Sequence, residues 1–186
     1  MARRKMPAIW AMESKWSSSV RDVRSVTPAL QALEAVGAAR YAHVAINSPE
    51  DFVAQLKRLG QKQHDRFTIG YIAMHGKPGK VYAGRKSIDL LSVGKELPPD
   101  ALRKKVLHFG SCSVLTDEDQ QQELLKALGV KAITGFTKDV DWMESLAFEL
   151  LLFEALSSYQ RSSYAEKYIR KHHGEFAERL GFVMVR

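Results

Sequence analysis

Short apolar runs alternate along the chain with longer stretches of helical periodicity. Ala8 to Glu13 predicts a first strand and Tyr41 to Ile46 a second. Phe67 to Met74 predicts a third, and its apolar residues fall on both parities, as in a strand covered on both faces. Val106 to Ser111 and Lys131 to Phe136 predict a fourth and a fifth. Phe182 to Val185 predicts an added edge strand.

Helices fill the intervals. Thr27 and Pro28 make a capped start for a helix with Leu30, Leu33 and Val36 inward and Gly37 as its stop. Ser48-Pro49-Glu50-Asp51 opens a second, with Phe52, Leu56 and Leu59 on its apolar face and Gly60 at its end. Thr116 to Leu128 predicts a helix with Leu124, Leu125 and Leu128 inward. Asp141-Trp142-Met143-Glu144 is a capping box ahead of the most apolar helix, which runs to about Ser158. Its Leu146, Phe148, Leu150, Leu151, Leu152, Phe153 and Leu156 wrap most of the circumference, which predicts deep cover. Tyr164 to Leu180 is a last helix, broken near Gly174, with Ala165, Ile169, His172, Phe176 and Leu180 on one side. Two segments break the alternation: Ser14 to Val26 is a long polar loop, and Val81 to Leu90 reads as a hairpin followed by a helical turn from Ser92. The pattern predicts an α/β fold, a three-layer sandwich with a mainly parallel central sheet, in a single domain over residues 1–186.

Composition narrows the class. The chain is long enough for one well-buried core, and 45% hydrophobic with 26% charged residues is ordinary for a globular domain. No apolar run approaches the roughly 20 residues that span a bilayer, and Ala8 to Met12 is too short for a signal-peptide core. A membrane partner is therefore not expected. The single cysteine excludes an internal disulfide and predicts a reducing, cytoplasmic setting. A net charge of +7 raises the question of nucleic acid. Its basic residues, among them Arg3-Arg4-Lys5 and Arg103-Lys104-Lys105, are scattered and not interleaved with aromatics. Nucleic acid is not expected as a direct ligand.

The candidate chemistry sits where two apolar runs stop. The third strand ends in His75-Gly76, and the fourth in Gly110-Ser111-Cys112, the only cysteine. In an open parallel sheet, sites form beyond the carboxyl ends of strands. Neighbouring third and fourth strands would bring the two side chains into one crevice. There an imidazole can take the proton that makes a thiol nucleophilic. The backbone N–H groups of Gly76 and Cys112 are candidate oxyanion donors. His108 precedes Cys112 on the same strand by about 13 Å, too far to serve as its base. His43 and His64 have no evident partner in the sequence, and His172 and His173 point in different directions from one helix. With one cysteine and dispersed histidines no metal site is expected. No dinucleotide or phosphate-loop motif is present, and no cofactor is expected.

Tyr71-Ile72-Ala73-Met74-His75-Gly76, the following hairpin, Leu107 to Ser113, and Ala132 to Phe136 leading to Asp141 and a helix with Ser145 and Phe148 together resemble the caspase-like cysteine peptidase clan. That clan includes caspases, metacaspases, gingipains and the bacterial CHAT proteases; the resemblance spans about residues 8 to 157. It implies a caspase-like fold and a cysteine endopeptidase acting on a protein or peptide substrate through an acyl-enzyme thioester. His75 would be the general base and acid, Cys112 the nucleophile, and Gly76 part of the oxyanion hole. Caspases carry Gln, and metacaspases Asp, two positions before the cysteine, as part of the pocket for the substrate side chain. Gly110 stands there in this chain, so neither an acidic nor a basic preference carries over. Arg21 and Arg24 lie in the loop where caspases place a pocket arginine. Asp139 and Asp141 would favour a basic side chain, although Asp141 is more economically a helix cap. Activation by a partner protein or by homodimerisation along a sheet edge is the expected control. The alternatives are a catalytically silent caspase-like or flavodoxin-like interaction module and a basic nucleic-acid-associated protein.

Overall fold

The computed structural model describes residues 7–186; Arg3-Arg4-Lys5 and the start of the expected 1–186 domain lie outside the described residues. Six strands form one sheet in the order β2-β1-β3-β7-β8-β9: β1 (Ala8–Glu13), β2 (Arg40–Ala45), β3 (Phe67–Ala73), β7 (Val106–Phe109), β8 (Ala132–Phe136) and β9 (Phe182–Val185). All neighbours are parallel except β8 and β9. Between β3 and β7 the chain leaves the sheet to build an antiparallel ribbon of β4 (His75–Lys77), β5 (Lys80–Ala83) and β6 (Lys86–Asp89).

Alternation along the strands divides the core in two. Trp10, Met12, Ile72, Leu107, Phe109 and Ile133 pack on one face with α2 (Pro49–Leu59), α3 (Leu90–Glu96), α4 (Glu118–Leu128) and the ribbon. Ile9, Ala11, Ile69, Tyr71, Val106, Ala132 and Phe136 pack on the other with α1 (Thr27–Ala35), α5 (Trp142–Ser158) and α6 (Ser162–Leu180). The sheet is thus flanked by helices on both faces, as the alternation of runs predicts.

The departures have local causes. Val36 is 78% exposed because α1 ends one residue earlier, so it falls past the buried stripe. Thr27 does not cap α1; the Ser25 hydroxyl accepts from the Thr27 N–H instead, and Gly37, with φ +73°, ends the helix as expected. α4 starts at Glu118 rather than at Thr116, because Asp117 caps it by accepting from the Gln120 N–H. Asp141 caps α5, accepting from the N–H groups of Met143 and Glu144. Leu146, Leu150 and Leu151 of that helix are only half-buried, while Phe148, Leu152 and Phe153 are sealed against the sheet. His172 is exposed rather than inward: non-helical angles at His173 kink α6, and the rotated second half buries Ala177 and Leu180.

Candidate functional site

β3 and β7 are hydrogen-bonded neighbours, with Ile69 opposite Val106 and Ile72 opposite Phe109. Their carboxyl ends therefore emerge side by side. Gly110 extends the ladder by donating to the Ile72 carbonyl at 3.0 Å. The chain then turns through Ser111, Cys112 and Ser113. Ser113 holds φ +50°, a left-handed angle that a residue with a side chain adopts at a cost of about 1–2 kcal/mol. Such strain persists where surrounding contacts impose it. Here the Ser113 N–H donates to the Lys138 carbonyl and its hydroxyl to Asp139.

The partner segment is pressed against this turn. His75 does not end β3 but opens β4, two positions beyond the sheet strand. A Cβ on Gly76 would lie 2.6 Å from the Ser111 Cβ and 2.7 Å from the Cys112 carbonyl oxygen. Only glycine allows so close a backbone approach. Gly76 thus faces the Cys112 turn and the core, while His75, next along the strand, stays exposed at its rim. The Cys112 thiol is half-buried, and its nearest hydrogen-bond acceptor is the Val140 carbonyl at 3.8 Å. The Cys112 N–H takes no backbone acceptor among the described residues.

His75 has a fixed partner that sequence reasoning missed. Its Nε2 lies 2.7 Å from the Trp16 carbonyl, and the two rings meet edge to face at 5.4 Å. A carbonyl can only accept, so Nε2 carries the proton and Nδ1 is left unprotonated in the neutral ring. Trp16 belongs to the long loop after β1, and Glu13 anchors that loop. The Glu13 carboxylate accepts from Trp16 Nε1 at 2.7 Å, the Ser25 hydroxyl at 2.7 Å and the Val26 N–H at 3.0 Å, and it meets His43 Nε2 at 2.6 Å. Burial pushes the Glu13 pKa up, but the hydrogen bonds from His43, Trp16, Ser25 and Val26 outweigh it and hold the carboxyl below its ordinary range. The one signal in the sequence is a carboxylate closing an otherwise apolar strand. His43, which lacks an evident partner in the sequence, is therefore bound to this cluster, and His64 packs edge-on against Trp10 and Phe67.

The other candidates separate. Arg24 pairs with Asp22 at 2.8 Å and reaches the Trp16 carbonyl at 3.5 Å; its guanidinium holds the Asp22 carboxyl below the usual range. Arg21 is exposed, and its hydrogen bond is a backbone one, to the Ser19 hydroxyl. Asp139 is drawn to Ser113, and Asp141 is the α5 cap, so neither stands as a free carboxylate. Between them Val140 meets Cys112, and Trp142 packs edge-on to Trp16 at 4.4 Å, which closes a ring of contacts around the site. Gly110 meets the core on its Cβ side: a Cβ would lie 2.5 Å from Glu149 Oε1 and 2.6 Å from the Tyr71 ring. The space on the Cβ side of Gly110 is filled by the Glu149 carboxylate.

That carboxylate is the centre of a buried network. Tyr71 donates to one Glu149 oxygen, His108 Nε2 lies 3.0 Å from the other, and His108 Nδ1 lies 2.9 Å from the Thr134 hydroxyl. Burial, reinforced by the Glu149 charge, raises the Tyr71 pKa well above the ordinary phenol value, so it stays a donor. His108 is thus committed to the core beneath Gly110, which agrees with its exclusion as a base. No three or more His, Cys, Asp or Glu side chains among the described residues are grouped to hold a metal ion. No described helix is long and apolar enough to cross a membrane.

No curated protein matches the chain. The profile of one family does, across residues 7–185, and the chain belongs to that family, DUF6642, a family of unknown function.

Proposed function

We propose that this chain is a caspase-like cysteine endopeptidase in which His75 and Cys112 form the reacting pair. The observation that carries the reading is the contact between the His75-Gly76 strand and the Ser111-Cys112 turn, at the carboxyl ends of two neighbouring parallel strands. The orientation of His75 supports it. With Nε2–H donated to the Trp16 carbonyl, the lone pair on Nδ1 is free to take the thiol proton.

The reaction follows from these positions. The proton of the Cys112 thiol passes to His75 Nδ1, and the thiolate attacks the substrate carbonyl carbon. The carbonyl electron pair moves onto oxygen, where the Cys112 N–H and the Gly76 N–H are the donors proposed to stabilise it. Collapse breaks the C–N bond, and the leaving nitrogen takes the proton back from Nδ1. Water, deprotonated by the same nitrogen, then hydrolyses the thioester and regenerates the thiol. The Trp16 carbonyl goes on accepting from Nε2–H through both steps and holds the ring in place.

The hydrogen bond from Cys112 Sγ to the Val140 carbonyl favours a second reading, a resting thiol in a catalytically silent interaction domain. Alkylation by iodoacetamide across pH separates the two. The peptidase reading expects Cys112 to react as a thiolate well below the free-thiol pKa of about 8.5, and His75→Ala to return the profile to that value. A profile that follows an ordinary thiol in both proteins would leave the silent domain standing.

A further inference from the structure

At the opposite end of the sheet, the amino ends of β3, β7 and β8 meet the connection between α5 and α6 around a cleft of about 190 Å³. Its lining carries Lys104 and Lys131 and no carboxylate. The nearest acid is Asp65, 3.8 Å from Lys104 Nζ, a weak exposed pair outside the lining. Lys131 Nζ has only the Gln160 carbonyl, at 3.4 Å. Both lysines thus line a cleft that holds no carboxylate of its own, and only Lys104 has an acid within reach, on the side away from it.

Two further features point to what fills it. Ser157 lines the cleft and is 7% exposed, yet its buried hydroxyl has no hydrogen-bond partner. A buried hydroxyl without a partner costs about 1–3 kcal/mol, and native proteins rarely keep one without a reason. Ser162, also in the lining, begins α6, a 19-residue helix whose start has no side-chain cap. The first N–H groups of such a helix are unsatisfied and favour an anion. The end of α5 lies beside it with the opposite dipole, so the net positive field comes from the lysines.

We propose that this cleft binds a small oxyanion of the phosphate type, held by Lys104 and Lys131, with the Ser157 hydroxyl and the start of α6 as neutral donors. The site is independent of His75 and Cys112 and does not rest on the peptidase reading. The oxyanion can be a free ion or the phosphoryl group of a small ester.

The test is an amide NMR titration of the full chain with inorganic phosphate and with glycerol 3-phosphate, each against sodium chloride at matched ionic strength. Saturable shifts at Ser157, Ser162 and Lys131 are expected with both phosphates and not with chloride. The tighter ligand identifies the source, free ion or monoester. Ser157→Ala should weaken binding about tenfold, since it removes a hydrogen bond to a charged group. It should not lower the melting temperature, because the hydroxyl has no partner to lose. Lys131→Glu should abolish the shifts. Shifts that chloride reproduces, or that spread over lysines and arginines elsewhere and survive Lys131→Glu, would overturn the proposal.

Discussion

Replacing Glu13 tests whether the loop after β1 positions His75 or merely covers it. The carboxylate is 7% exposed and serves four donors, two of which, Trp16 Nε1 and the Val26 N–H, share one oxygen. Glu13→Ala removes all four bonds. A hydrogen bond to a charged group contributes about 1.5–3 kcal/mol, but His43, Ser25 and Trp16 are half-exposed and can turn to water, so the net loss should be about 3 kcal/mol. Glu13→Gln keeps the oxygen that serves Trp16 and Val26. Its amide can be accepted by the Ser25 hydroxyl and by the other tautomer of His43, so its cost should be about 1 kcal/mol. Urea unfolding at pH 7 reads both values. The sign of the pH dependence follows from the lowered Glu13 pKa. Its stabilisation is present above the unfolded carboxylate value of about 4.3 and is lost as pH falls through the lower folded value. Glu13→Gln should flatten that part of the acid limb. The functional readout is the alkylation rate of Cys112 at neutral pH. If Trp16 holds His75 in its tautomer, folded Glu13→Ala should react about tenfold more slowly, while Glu13→Gln stays near the parent. An unchanged rate and pH profile in folded Glu13→Ala would refute the positioning role.

Three further outcomes follow from the site's packing. Gly110→Ala forces a methyl against Glu149 and Tyr71, which are pinned by their own hydrogen bonds; it should cost about 1–3 kcal/mol in urea unfolding and slow Cys112 alkylation as the turn shifts. Tyr71→Phe leaves a Glu149 oxygen without its buried donor and should lower stability by about 1.5–3 kcal/mol by the same measurement, with little change in thiol reactivity at matched folded fraction. Ser111→Ala removes a buried hydroxyl that has no partner, so stability should stay level or rise in thermal unfolding.

The sheet was legible because its central strands are apolar runs covered on both faces. The order of apolar runs and the glycine stops place every parallel strand and the edge strand within a residue or two. The crevice depended on the third and fourth strands being neighbours; β3 and β7 are, and the Gly76 backbone meets the Cys112 turn there. What escaped depends on side chains distant in sequence. Trp16 carries no motif, because its contribution to His75 is a backbone carbonyl that any residue could supply. Glu13 and His43 meet only through the β1–β2 pairing, which sets His43 opposite Ala11 and two positions from Glu13's own partner Ala45, and periodicity alone does not register that.

Gly110 stands where the caspase-like clan carries part of the pocket for the substrate side chain, so the sequence holds no acidic or basic preference at that position. In the fold the space on its Cβ side is occupied from behind. Glu149 approaches from α5, 39 residues further along the chain, and fills the volume with a carboxylate already bound to Tyr71 and His108. Glycine is required because the network lies directly under the turn. Selectivity in the proposed peptidase must therefore come from elsewhere on the rim. The residues placed to supply it are Trp16, which packs edge-on to His75, and Trp142, which packs edge-on to Trp16. Their aromatic surface favours an apolar side chain over the charged ones that an acidic or basic residue at position 110 would select.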